Sequence, residues 1–154
     1  MGLLSARLPA ATVLAALLVG CSSFERDWQA AGADLAPVVD PIRGRWEGSW
    51  RSDVSGHEGA LRCLVSASED GSLVARYRAE YGCCFSFEYS VPMVVEREDD
   101  ACRFTGSADL GWLAGGVYHY EGRADGKAYT STYTSEDDHG TFTLARPGEG
   151  PGTN

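Results

Sequence analysis

Between Phe85 and Val95 the chain reads Phe-Ser-Phe-Glu-Tyr-Ser-Val-Pro-Met-Val-Val, and this two-residue alternation leaves little choice of fold. Side chains of an extended strand point to opposite faces in turn, so Phe85, Phe87, Tyr89, Val91, Met93 and Val95 share one face while Ser86, Glu88 and Ser90 share the other. Such a strand has one dry and one wet face, and the dry face needs other strands to cover it. Pro92 falls on the wet face, compatible with a bulge or a weakly paired position. No helical period follows Pro41, and strand signals recur roughly every ten to twelve residues, the mark of an antiparallel meander.

Eight strands are expected, at 45–51, 59–67, 72–81, 85–96, 101–109, 117–124, 127–134 and 140–146. Turn chemistry sets their registers. A three-residue loop Glu69-Asp70-Gly71 puts Val65 opposite Ala75 and Cys63 opposite Tyr77, and a two-residue turn Asp125-Gly126 puts Tyr120 opposite Ser131 and Gly122 opposite Tyr129. The same counting pairs Tyr81 with Phe85, Met93 with Phe104 and Tyr133 with Phe142. Apolar faces meet throughout. The expected fold is therefore all-β, a closed antiparallel up-and-down barrel, since closure removes the exposed edges that an open sheet would leave. Tight connections at 69–71, 98–99 and 125–126 alternate with longer, Gly-rich or charged ones at 52–58, 82–84, 110–116 and 135–139. One end is thus pinched, and the other is ringed by loops.

The 154 residues have room for one such domain. With 13 Lys and Arg against 22 Asp and Glu, the net charge of -9 excludes a nucleic-acid surface, which needs clustered cations. Residues 1–20 read as an export signal: Arg7, then an apolar run from Leu8 to Val19 too short to span a bilayer comfortably. The run ends in Leu18-Val19-Gly20-Cys21, which resembles the lipobox of bacterial lipoproteins. That resemblance implies lipidation of Cys21, and Ser22 after it implies the outer membrane of a Gram-negative envelope. Several acyl chains on one residue make a stable anchor, each buried methylene contributing about 0.8 kcal/mol. From 21 to 41 the sequence is unpatterned and broken by Gly32, Pro37 and Pro41, so it reads as a flexible tether in which Trp28 is a solvated linker residue, with docking on the barrel as an anchor the alternative. The barrel domain then occupies 42–147, and 148–154 is a disordered tail.

Gly44-x-Trp46 begins the first strand and Arg146 ends the last, a pattern that resembles the lipocalin and calycin superfamily, whose barrels close with a basic residue over that tryptophan. Register counting independently puts Trp46 and Arg146 on one face at the pinched end. The resemblance implies a barrel that can hold a small hydrophobic or amphipathic ligand. With the Phe85 face turned inward, all seven tyrosines (77, 81, 89, 118, 120, 129 and 133) turn in with it. Tyr77, Tyr81, Tyr89, Tyr118, Tyr120 and Tyr133, with Trp50, Phe87 and Phe104, are the candidate ligand-binding residues. The alternative is a filled barrel serving as a non-enzymatic interaction module for another envelope component.

Other chemistry is sparse in this chain. His57 and His139 belong to the first and last loops of the open end, with Asp137 beside the latter, a candidate metal set without the spacing that fixes a geometry. His119 falls on the outward face. Cys63 and Cys102 lie inward on strands too far apart to bridge, whereas Cys83 and Cys84 are adjacent, either as a vicinal disulfide or as two free thiols at the mouth. Trp112 and Leu113, in the apolar loop 110–116, can plug the mouth, form a lid, or touch a membrane or partner, plugging being the simplest reading. Paired carboxylates, a phosphate loop and a nucleophile elbow are all lacking, so neither an enzyme nor a cofactor is expected.

Overall fold

The computed structural model describes residues 22–33 and 40–148. Eight antiparallel strands form a closed barrel in which each pairs with its sequence neighbours and the last returns to the first. They are β1 (Gly44–Ser52), β2 (Glu58–Ala67), β3 (Leu73–Tyr81), β4 (Phe85–Glu98), β5 (Ala101–Asp109), β6 (Val117–Ala124), β7 (Ala128–Thr134) and β8 (His139–Ala145). Residues 1–21, with the export signal and Cys21, and most of the expected tail lie outside the described residues.

The registers of β2 with β3 and of Tyr81 with Phe85 are those counted from the turns. Three others differ by two residues: Met93 faces Gly106, Tyr120 faces Tyr133, and Tyr133 faces Gly140. A slip of two leaves every side chain on its face, so matching apolar faces cannot detect it. At the β6–β7 turn the cause is visible. Asp125 accepts from the backbone N–H groups of Lys127 and Ala128 and donates its own N–H to Ala128 O, and Gly126 adopts a φ of 85°, so the turn centres on Gly126-Lys127 rather than on Asp125-Gly126, and moving it by one residue shifts the register by two. Pro92 pairs with Val74 of β3, but pairing with β5 starts only at Met93, so the missing N–H costs no ladder bond on that side.

The stretch read as a tether contains a helix, α1 (Ser23–Ala33), lying on the outside of the barrel. Ser22 Oγ accepts from Glu25 N–H at its first turn, an N-terminal cap. Phe24 and Trp28, one turn apart, stack on each other and bury against Leu64, the outward residue of β2. Arg62 spans both rings, with Arg45 over Trp28 and Arg76 over Phe24. Glu25 pairs with Arg62, and Asp27 with Arg76. Trp28 is therefore an anchor on the barrel wall rather than a solvated linker residue.

The pinched end is filled. Trp46 is fully buried, its indole N–H donates to Ile42 O at 2.7 Å, and the Arg146 guanidinium lies 3.7 Å over its ring. Arg146 also donates to Arg43 O at 2.7 Å and Gly126 O at 3.1 Å, tying the chain entering β1 to the β6–β7 turn. Gly44 has a φ of 98°, so its place in Gly-x-Trp follows from backbone conformation. Above Trp46, Tyr77 and Tyr129 share a hydrogen bond of 2.5 Å beside Cys63, and burial raises the pKa of both hydroxyls well above the usual tyrosine value.

Candidate functional site: the open half of the barrel

Above the Tyr77 layer the interior is hollow, with a cavity of about 510 Å³ opening among the loops. Strand alternation sends aromatic side chains into it from most sides. Trp50 enters from β1, Tyr81 from β3, Phe87 and Tyr89 from β4, Tyr118 and Tyr120 from β6, and Tyr133 from β7. Their rings form a connected wall: Tyr89 and Tyr120 stack at 6.2 Å, Tyr118 and Tyr133 meet at 5.9 Å, and Trp50 and Tyr81 at 4.5 Å. Trp50 is held by its indole N–H, which donates to Glu80 O at 3.0 Å. A Cβ on Gly59 would come within 2.0 Å of that carbonyl oxygen, so only glycine permits this approach.

Seven of the nine expected ligand-binding residues line the cavity, and two do not. Tyr77 and Phe104 belong to the packed floor. Tyr77 stacks beneath Tyr89 at 5.2 Å, and Phe104 packs on Tyr129 at 4.8 Å. Phe142, Phe85, Ala79, Leu110 and Ala114 join the lining. Phe142 and Phe85 follow from strand alternation, but the loop residues reach the cavity only through the path of the β5–β6 connection.

The residue that alternation could not supply is Asp138. It belongs to the β7–β8 loop, yet it lines the aromatic cavity. Its backbone N–H donates to Ser135 Oγ at 3.0 Å, and the Ser135 N–H returns to Asp138 O at 2.7 Å, folding the loop over the mouth. One carboxylate oxygen accepts from the buried Ser52 hydroxyl at 2.6 Å, the other from the Tyr133 hydroxyl at 3.3 Å. Desolvation first, and then the Asp138 charge, makes the Tyr133 hydroxyl harder to ionise than an ordinary tyrosine.

The mouth is rimmed by apolar side chains. Phe85 is 72% exposed, Trp112 86% and Leu113 82%, with Val54, Tyr81 and Val117 at the same end. In the 3₁₀ turn Trp112–Ala114, Leu113 borders the cavity, but Trp112 is exposed and outside the lining, so it does not plug the mouth. Cys83 and Cys84 tip the β3–β4 loop as free, exposed thiols with sulfurs 2.8 Å apart, and Cys63 and Cys102 are free and buried. The first and last loops do touch, through Asp53 N–H to His139 O at 2.8 Å. Among the described residues, however, no group of three or more His, Cys, Asp and Glu side chains, including His57, His139 and Asp137, is arranged to hold a metal ion. His119 is exposed on the outer face.

A second concavity, of about 740 Å³, lies outside the barrel along β4–β8, walled by Arg103, Arg123, Glu121 and a row of threonines. Its polar side chains are solvated like the rest of the outer face. The inner cavity has the concave, mostly apolar wall of a small-molecule site. Comparison with family models, curated proteins and solved structures gives no match to this chain.

Proposed function

We propose that this protein is a non-enzymatic binding protein that holds a small aromatic or amphipathic molecule in the open half of its barrel, and that it does so at the bacterial envelope, anchored through an acylated Cys21. The observation that carries the binding reading is the aromatic-walled cavity of about 510 Å³ above a packed floor. Small-molecule sites occupy about 300 to 1,000 Å³ with mostly apolar walls and a few placed polar groups, and this one combines tyrosine faces with a single carboxylate. The alternative, a filled barrel acting through its surface on another envelope protein, is less well supported because only the pinched half is filled. The anchoring reading rests on the lipobox-like Leu18-Val19-Gly20-Cys21 and implies a place in the outer membrane.

Binding is tested by titrating the purified protein with N-phenyl-1-naphthylamine, a neutral fluorophore, and reading its emission together with quenching of tryptophan. Saturable binding at one site is expected, and it should vanish in Ala79→Trp, which puts an indole into the cavity. Absence of saturation, or equal binding by a folded Ala79→Trp, would contradict the proposal. Metabolic labelling with a radiolabelled fatty acid tests the anchor: label on the wild type and none on Cys21→Ser is expected, and an unlabelled wild type refutes it.

A further inference from the structure

We propose that the cavity selects an organic cation, a small aromatic or amphipathic molecule bearing a protonated amine or quaternary ammonium, whose charge rests between the Asp138 carboxylate and the rings of Tyr81, Tyr118 and Tyr133. This rests on the binding reading above and names its ligand class. Among the described residues, Asp138 is the one formally charged side chain in the lining, with no Lys, Arg or His beside it there. Among the described residues, none of the ion pairs includes Asp138. Its two hydrogen-bond donors, Ser52 and Tyr133, are neutral hydroxyls. A carboxylate offers about four lone-pair sites, so acceptor capacity remains for an ammonium N–H.

The surrounding rings point the same way. Aromatic faces carry partial negative charge and attract cations, the more so when the site excludes water. Tyr81, Tyr118, Tyr133 and Asp138 line one space, and the Tyr81 hydroxyl is harder to ionise than usual, through desolvation first and then through the charges of Tyr118 and Asp138. The Tyr118 and Tyr133 rings meet at 5.9 Å within the same lining. A buried ammonium needs an opposite charge nearby, and Asp138 supplies it. An anionic ligand would instead face that carboxylate in a low-dielectric wall, and the net charge of -9 would repel it during approach.

The test uses three probes with one ring system: 1-naphthylmethylamine, 1-naphthalenemethanol and 1-naphthoate, titrated calorimetrically into the wild-type protein. The amine is expected to bind at least tenfold tighter than the alcohol, and the acid weakest. Amine binding should also weaken between about 50 and 500 mM salt while alcohol binding holds. Asp138→Asn removes the charge while its amide oxygen still accepts from Ser52 and its NH2 faces the Tyr133 hydroxyl oxygen, so it should bring the amine and alcohol affinities together. Equal affinity for amine and alcohol, or tightest binding of the acid, overturns the cation proposal while leaving the binding reading intact. Failure of all three probes to saturate overturns the binding reading with it. The wild-type ranking and its salt dependence decide the matter even if the variant fails to fold.

Discussion

Arg146 gives the sharpest test of how this barrel closes. Its guanidinium lies over Trp46 at 3.7 Å and donates to the carbonyl oxygens of Arg43, Gly126, Arg45 and Asp40 at 2.7, 3.1, 3.3 and 3.4 Å. The two shorter bonds contribute about 1 kcal/mol each, below the roughly 1.5 to 3 kcal/mol of charged donors because the group is partly solvated. The stacked cation adds about 0.5 to 2 kcal/mol. Arg146→Met, which keeps apolar contact with the indole but loses both terms, should cost about 3 kcal/mol. Arg146→Lys, which keeps the charge but cannot reach several carbonyls with a planar fork, should cost about 2 kcal/mol. Against a total stability of about 5 to 15 kcal/mol these are large losses. Urea unfolding followed by circular dichroism reads them: with a slope near 2 kcal/mol/M, the midpoint should fall by roughly 1 M for the lysine variant and more for the methionine variant. Probe binding at the opposite end should be unchanged below the transition. A midpoint shift under about 0.25 M for both variants would refute the idea that Arg146 closes the barrel.

Trp28→Ala should weaken docking of α1 by about 3 kcal/mol and speed proteolytic cleavage near the helix while sparing the barrel; an unchanged cleavage rate contradicts the anchoring seen for Trp28. A thiol reagent should modify Cys83 and Cys84 in the native protein but reach Cys63 and Cys102 only after unfolding, because the latter are buried and burial raises the pKa of both. Tyr77, Tyr89 and Tyr129 have pKa values raised well above 10, burial being the first cause. The folded state holds these protons more tightly than the unfolded chain. The stability they contribute is thus complete below about pH 10 and is lost as pH rises above it. Absorbance at about 295 nm should show their ionisation coinciding with alkaline unfolding. Seven tyrosines titrating near pH 10 in a still-folded barrel would be inconsistent with their burial.

Local pattern and tertiary placement divided the information in this chain along physical lines. Alternation from Phe85 to Val95, turn glycines and strand spacing by themselves determined an eight-stranded closed barrel, the inward face with its seven tyrosines, and the meeting of Trp46 with Arg146. Those features depend on a period of two and on the order of antiparallel neighbours, both carried locally. The helix was also written locally, in Ser22-x-x-Glu25 and the Phe24/Trp28 spacing, but these four residues gain weight only once Leu64 and the arginines of β1–β3 supply a surface for them. The tertiary structure decided what two-residue slips leave open: which inward residues share a layer, and so that Tyr77 and Phe104 pack the floor while Phe142 borders the hollow. It also decided the place of Asp138. A loop carboxylate has no period to read, and only the fold of residues 135–138 against Ser52 and Tyr133 brings it into an aromatic cavity.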